Sequence, residues 1–419
     1  MFLFKFIHCA DLHLDSPLRG LSMKSNAPVE QIRTATRRAL NNLVDLCIQE
    51  EVQFLVIAGD VYDGDWPDYT TGLFFSACMG KLREHHIAVY LIRGNHDAES
   101  TITKKLVLPS NVIEFSSQQP ETYLINDIKV ALHGQSFWQR EVRDNLASTY
   151  PEAMLGYFNI GILHTAAEGQ EGHEAYAPCR INELVQKGYD YWALGHIHKR
   201  QILHEKPYVV FPGNLQGRHI RETGHKGCTL VTVDGTKVFL EHQILDVLRW
   251  YVCEVDLTDV DTDEELNASI CVQMERLLTE NQGYPLALRV RFSGQTRLHG
   301  YLLQNMERYI HEVQNAAAIM AGDLIWIEKV KFSTEPIGDM EGSQDQDDAI
   351  ATLLQSRDSA LTDPEFLDDF LKHVNLIQGR IGKYTQSSDA TVIATSSDVE
   401  PLLKDAQSIL LNMLGKGNS

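Results

Sequence analysis

The chain has 419 residues, 43% of them hydrophobic and 22% charged, the balance of an ordinary globular protein long enough for two or three domains, each with its own core. A formal net charge of −20 argues against tight free-standing binding to nucleic acid, and seven cysteines, odd in number and scattered, exclude a thiolate metal site and a disulfide frame and read as reduced, mostly buried residues. The opening Met1-Phe2-Leu3-Phe4-Lys5-Phe6-Ile7-His8 lacks the basic lead and long apolar core of a signal peptide, and no later apolar stretch could span a bilayer, so a cytoplasmic location without membrane contact is expected.

In chain order, residues 4–9 read as a strand followed by a loop carrying Asp11-Leu12-His13. Residues 30–49 read as an amphipathic helix with Ile32, Ala35, Ala39, Leu43, Leu46 and Cys47 on one stripe. The near-continuous apolar run 52–58 suits a strand buried on both faces and is stopped by Gly59-Asp60. A helix near 70–84 and a strand over 87–92 complete a β-α-β-α-β rhythm, closed by Gly94-Asn95-His96-Asp97. Further on, His133 ends a strand and reads as a structural histidine. His164 closes the run Phe158-Asn159-Ile160-Gly161-Ile162-Leu163, and Gly195-His196-Ile197-His198 follows Tyr191-Trp192-Ala193-Leu194. His173 and Tyr176 lie in a polar loop long enough to overhang a site, where a functional and an idle role are equally open.

The polar strings fall just past strand ends, where open α/β sheets bind ligands. Alternation in an extended segment would project Asp11 and His13 to one side, and His196 and His198 likewise. Asp60, a carboxylate at the mouth of an apolar strand, is the natural bridge between two cations, with Gly59 leaving room for its backbone and Gly94 permitting the tight turn that points His96 outward. Carboxylate, imidazole and one amide oxygen form a mixed donor set suited to two divalent cations about 3.5–4 Å apart, able to clamp one phosphate. Lys104, Lys105, Lys199, Arg200, Arg218, Arg221 and Lys226 gather near these strings, and contact with phosphate and plain solvation are equally open readings for the group. The face with Arg33, Arg37 and Arg38 reads as solvated.

The ordered set Asp-x-His, Gly-Asp, Gly-Asn-His-Asp, His and Gly-His-x-His resembles the signature of the calcineurin-like metallophosphoesterases. More narrowly, His8-Cys9-Ala10-Asp11-Leu12-His13-Leu14-Asp15-Ser16-Pro17-Leu18 and Tyr191-Trp192-Ala193-Leu194-Gly195-His196-Ile197-His198-Lys199 are similar to the bacterial DNA repair exonucleases of the YhaO type, relatives of SbcD and of the nuclease subunits of double-strand-break repair complexes. The resemblance spans roughly residues 1–335. It implies an α/β fold: a layered β-sandwich core with flanking helices, a smaller α/β capping domain and a C-terminal helical segment. It further implies that Asp11, His13, Asp60 and His198 hold one metal and that Asp60, Asn95, His164 and His196 hold the other, manganese by resemblance, with magnesium, iron or zinc also compatible. His96 would contact the scissile phosphate and help the leaving oxygen depart. One departure is Asp63, where some relatives in the double-strand-break group carry a histidine.

The resulting layout is a nuclease domain over 1–245, a capping domain over 250–335 that guides duplex DNA or, more plainly, serves as an accessory or homodimer module, an acidic linker over 336–348 and a helical segment over 349–419. Within the second domain the pattern gives strands at 251–255, 286–292 and 324–330 and helices at 261–280 and 298–315; the tail gives helices near 349–357, 364–377 and 401–414. The last is amphipathic; it either docks on an SMC-like ATPase, as the resemblance implies, or packs on its own domains. The expected function is a metal-dependent DNA exonuclease acting in repair; the alternatives are a phosphodiesterase or phosphatase for small nucleotides and a catalytically inert scaffold.

Overall fold

The computed structural model describes residues 3–16, 34–63, 69–99, 107–168, 176–337 and 363–381, with a few single residues between 356 and 410. The chain divides into two compact units, Met1–Tyr251 and Val252–Ser419.

The first unit is built on two six-stranded sheets. Its strands are β1 (Leu3–Cys9), β2 (Phe54–Ala58), β3 (Ala88–Ile92), β4 (Val112–Glu114), β5 (Glu121–Ile125), β6 (Val130–Gly134), β7 (Phe158–His164), β8 (Tyr191–Gly195), β9 (Gln201–Glu205), β10 (Tyr208–Phe211), β11 (Gly227–Asp234) and β12 (Lys237–Ile244). One sheet runs β12-β11-β1-β2-β3-β4 and the other β5-β6-β7-β8-β10-β9. β1 to β4 pair in parallel, as do β6, β7, β8 and β10, while the outer partners pair antiparallel. Every expected ligand string therefore lies at the carboxyl end of a parallel strand.

Alternation along the strands decides the layers. Phe4, Phe6, Phe54, Val56, Tyr90 and Ile92 of the first sheet meet Leu132, Ile160, Ile162, Tyr191 and Val210 of the second in one buried cluster. The opposite faces are covered too. On the first sheet, Ile7, Leu55, Ile57, Val89 and Leu91 pack against α1 (Ala35–Gln49) and α2 (Thr70–Glu84) through Leu40, Leu43, Val44, Phe75, Met79 and Leu82. On the second, Trp192, Leu194, Val209 and Phe211 pack under Phe137, Leu146, Tyr150 and Tyr189. Burial on both faces is why β2 is apolar at every position. Trp192 lies over Gly161 so closely that a Cβ there would come within 2.4 Å of its ring. A short helix α3 (Asn95–Glu99) follows β3, and α4 (Ile181–Gln186) precedes β8.

The expected first helix is present over its described part; residues 30–33 lie outside the described residues, as do Lys104, Lys105, Arg33 and His173. Arg37 is not merely solvated: its Nε donates to Asp15 at 2.7 Å, tying α1 to the loop after β1.

In the second unit β13 (Arg249–Asp256), β14 (Leu286–Gln295) and β15 (Ile325–Glu335) form a three-stranded sheet, β14 and β15 parallel. Helix α5 (Asp263–Glu280) opens on a capping box in which Thr262 and Glu265 satisfy each other's backbone N–H groups. The helix expected over 298–315 is divided into α6 (His299–Gln304) and α7 (Met306–Ala321). The break is at Asn305, whose amide donates to the Tyr301 carbonyl at 2.8 Å while its backbone leaves the helical region. Helix α8 (Pro364–Ile381) is longer than its sequence pattern predicts. Most of the linker and of the other tail helices lies outside the described residues. Where the tail is described it touches its own unit: Val399 is fully buried, and Gln304 donates to the Ile409 carbonyl at 2.8 Å. No helix among the described residues is long and apolar enough to cross a membrane.

Candidate metal centre

Strand ends from both sheets converge on one point. Asp11, His13 and His198 offer ligand atoms within 4.8 Å of one another; so do Asp11, Asp60 and His164, and so do His13, Asp60 and His96. Asn95 joins the second of these groups, its Oδ1 lying 3.0 Å from His164 Nε2. The His196 ring stands edge-on to His164, with centroids 5.3 Å apart, and edge-on to Tyr176 at 5.4 Å. Tyr176 thus belongs to the wall of the site. His133 does not: its ring bonds Thr122 and Asn159 and stacks on Tyr189, in the core.

The backbone that delivers these groups differs from the extended geometry expected for them. Asp11, His13, Asp60 and His196 all hold positive φ, at 53°, 43°, 53° and 102°. Left-handed backbone is costly for residues with a Cβ, on the order of 1–3 kcal/mol each, and such positions collect at functional sites. The surrounding bonds hold the conformation. Asp11, His13 and Leu14 donate their backbone N–H groups to the carbonyls of Gly59, Asp60 and Val61 at 3.0, 3.1 and 2.9 Å, so the loops after β1 and β2 run side by side.

Glycines make the approach possible by lacking a Cβ. At Gly59 a Cβ would come within 2.4 Å of His164 Nδ1, and at Gly195 within 1.9 Å of the Ala58 carbonyl. Gly94 is needed for space and not for the turn: its Cβ would lie 2.2 Å from Asp60 Oδ1 and 2.7 Å from His164 Cε1.

Four of the ligand candidates are held from behind. Asp11 accepts the His196 backbone N–H at 3.1 and 3.0 Å, and Asp60 accepts that of His96 at 2.9 Å. His164 Nδ1 donates to the Ala58 carbonyl at 2.9 Å, which leaves Nε2 for the site. His198 Nδ1 donates to Glu222 Oε1 at 2.6 Å, and its Nε2 faces His13 Nε2 at 3.1 Å.

Electrostatics follow from crowding buried charge. Burial opposes a charged His164, yet the Asp60 carboxylate 3.5 Å away outweighs it and lifts the imidazole to about 9. Burial likewise opposes ionised Asp60, and His164, His96 and His13 together hold it well below the ordinary carboxylate range. Burial raises Asp11. Burial and the Arg218 charge push His13 down to about 3. Neutral His13 and ionised Asp60 are the forms a cation requires. His13 Nε2 faces Asp60 at 3.8 Å and His198 Nε2 at 3.1 Å, and its Nδ1 faces Asp63 at 3.5 Å. The donor set and its convergence fit two divalent cations.

Several supporting residues are not among the ligands expected from the sequence. Asp97, the last residue of its string, accepts the backbone N–H groups of Val61, Tyr62 and Gly94 at 3.2, 2.9 and 3.1 Å, locking the β2 and β3 loops together. Burial and the Asp60 charge raise it to about 7. Asp63 lies 3.2 Å from His96 Nδ1 and 3.5 Å from His13 Nδ1, and accepts the Ser16 hydroxyl at 2.7 Å. It is therefore part of the site, and the departure noted in the sequence places a carboxylate beside His96. Arg218 and Lys226, expected as solvated or phosphate-contacting charges, are instead turned inward: Arg218 pairs with Glu222 at 3.0 Å and Lys226 Nζ donates to the His198 carbonyl at 2.9 Å.

Comparison with known proteins agrees with this geometry. The calcineurin-like phosphoesterase family matches residues 4–200, and the middle domain of metallophosphoesterase YhaO matches residues 250–335. The chain is 37% identical over 293 residues to the uncharacterized metallophosphoesterase YhaO of Bacillus subtilis, covering 69% of this chain and 71% of that protein. It is 22% identical over 298 residues to the DNA double-strand break repair protein Mre11 of Sulfurisphaera tokodaii, covering 67% and 72%. A β-sandwich whose strand ends gather carboxylate, amide and imidazole donors, joined to this middle domain, is the architecture of one family: the chain belongs to the calcineurin-like metallophosphoesterases of the YhaO type, hydrolases of phosphoester bonds.

Proposed function

We propose that the chain is a metal-dependent DNA nuclease, an exonuclease acting in DNA repair with an SMC-like coiled-coil ATPase. The observation that carries the reading is the convergence of Asp11, Asp60, His13, His164 and His198 on one point, with His96 beside them. Asp11, His13, Asp60 and His198 would hold one cation and Asp60, Asn95, His164 and His196 the other, manganese being the expected metal. When bound, such cations supply Lewis-acid polarisation of the phosphate and a water acidic enough to attack it.

The protein's own part is orientation and proton supply. His13 and His164 are fully buried, whereas the His96 side chain is 31% exposed, more than the 22% of His198, so His96 is open to substrate. With its Nδ1 facing Asp63, the His96 ring is oriented to donate its other proton to the leaving oxygen. DNA as substrate is supported by the likeness to a double-strand break repair protein and by the middle domain. The ATPase would dock on the C-terminal helical segment over 349–419, of which the described helix α8 exposes Phe366 and Leu376 at 39% and 61%. With a net charge of −20, binding to DNA alone is expected to be weak and to fall as salt rises.

The test is cleavage of end-labelled linear duplex DNA with manganese, comparing the intact chain with His96→Ala and Asp60→Ala and running a small aryl phosphodiester in parallel. Duplex degradation stopped by both substitutions supports the nuclease reading. Cleavage of the small ester alone, unchanged when the ATPase is added, transfers the function to small nucleotides.

A further inference from the structure

We propose that Glu222 is the positioning residue that makes His198 a metal ligand, and that Arg218 is the brace that holds Glu222 in place. The inference rests on the metal-centre reading above and assigns a task to two side chains that reading does not use.

Glu222 is only 5% exposed and serves no solvent. Its Oε1 accepts His198 Nδ1–H at 2.6 Å; its Oε2 accepts the Asn214 amide at 2.9 Å and the Arg218 backbone N–H at 2.7 Å. The Arg218 guanidinium donates to Oε1 at 3.0 Å, lies 3.1 Å from His198 Nδ1, where it competes with Glu222 for the tautomer, and is 3.7 Å from Asp63, the carboxylate beside His96. One inward-facing chain of charges, Glu222, Arg218 and Asp63, thus runs behind both His198 and His96. From the other side Lys226 fixes the backbone of His198 through its carbonyl.

An imidazole can present either nitrogen to a cation, and the hydrogen bond made by the other decides which. A buried carboxylate on Nδ1 leaves only the Nε2 lone pair, which here faces His13 Nε2 at 3.1 Å and Asp11 Oδ1 at 3.9 Å. Loss of such an outer partner typically weakens metal binding roughly 10–100-fold. Without Arg218, Glu222 would lose the guanidinium bond at 3.0 Å that holds its Oε1 toward His198.

The test is calorimetric titration of manganese into the chelator-stripped full chain, for the natural sequence, Glu222→Gln, His198→Ala and the double variant. Two binding events are expected for the natural chain. Glu222→Gln is expected to weaken one of them roughly 10–100-fold and spare the other, and to add nothing once His198 is Ala. Arg218→Lys, which keeps the charge but loses the fork, is expected to fall between. An unchanged isotherm for Glu222→Gln, or an equal weakening in the His198→Ala background, overturns the proposal and leaves the metal centre standing. Absence of manganese uptake by the natural chain overturns both. Should Glu222→Gln fail to fold, Glu222→Asp carries the same comparison. A readout without metal accompanies it: the nitrogen-15 spectrum of His198 should show one tautomer, protonated at Nδ1, in the natural chain and a mixture in the variant. One and the same tautomer in both overturns the assignment.

Discussion

In the first unit polar groups are buried at strand ends on left-handed backbone, whereas in the second they lie mainly along regular helices and strands. Asp11, His13, Asp60 and His196 are all non-glycine residues with positive φ; among the described residues of the second unit only Gln282, just past the end of α5, shares that property. The pair Arg308–Glu312 of the second unit is an exposed helical pair, four residues apart. Among its described residues, the well-buried pair Arg289–Glu328 joins neighbouring strands through two bonds of 2.8 Å. The difference teaches where strain has a use. Around the ligands, unfavourable backbone and crowded charge are tolerated because that geometry brings donors from five strand ends together; the other left-handed residues, such as Glu51, His86 and Lys129, sit singly in turns.

The comparison breaks most sharply at Gly94. Gly94→Ala places a methyl 2.2 Å from Asp60 Oδ1, and should reduce metal affinity by more than the roughly 10–100-fold typical of outer partners, as measured by titration of the stripped chain. Unchanged affinity would mean that the loops yield easily and that the strain is not needed. The counterpart in the second unit is Arg289→Ala, which takes two 2.8 Å bonds from the buried Glu328 carboxylate and should cost about 3–5 kcal/mol in denaturant unfolding. Arg289→Met with Glu328→Leu should recover most of it, since an apolar pair avoids the desolvation cost. Neither change should alter metal uptake.

A third prediction uses pH. In the metal-free chain His164 is raised to about 9 from an ordinary 6.5 by Asp60, burial opposing. A raised folded-state value means that the ion pair contributes its full stability below pH 6.5 and loses it as pH climbs to about 9. Thermal melts in chelator should therefore decline across that window, and His164→Asn should flatten the decline; an equally steep slope in the variant would remove the pair from the account. The smallest effect is expected at the capping box, where Thr262→Ala should cost about 1 kcal/mol, because α5 is also held by buried Leu266, Ile270 and Met274.

Much of the site can be read from the chain. Asp11, His13, Asp60, Asn95, His164, His196 and His198 stand out because each polar residue follows an apolar strand, and strand ends are where α/β sheets place ligands. Their partners stand out less. Glu222 sits in a loop with no periodicity, where nothing local distinguishes a buried carboxylate from a solvated one; Arg218 is visible as a charge near the strings and Asp63 as a departure from the family pattern, but the inward contacts each makes are not. Gly94 is visible as a glycine, but its reason is not: the sequence suggests a turn, while the constraint is the Asp60 carboxylate and the His164 ring approaching from other strands. In the second unit the same limit applies to Asn305, whose side chain competes with the helical backbone in a stretch that otherwise reads as one helix.

The sequence by itself determined the alternation of strands and helices, the two-sided burial of β2 and the ordered donor strings, because these follow from hydrophobic period and residue chemistry over short spans. Only the tertiary structure decided that the donors meet, which backbone conformations deliver them and which buried charges hold the imidazoles in place. Those are contacts between residues as far apart as 185 positions, such as Asp11 with His196, and their geometry is set by packing two sheets face to face, which no local pattern encodes.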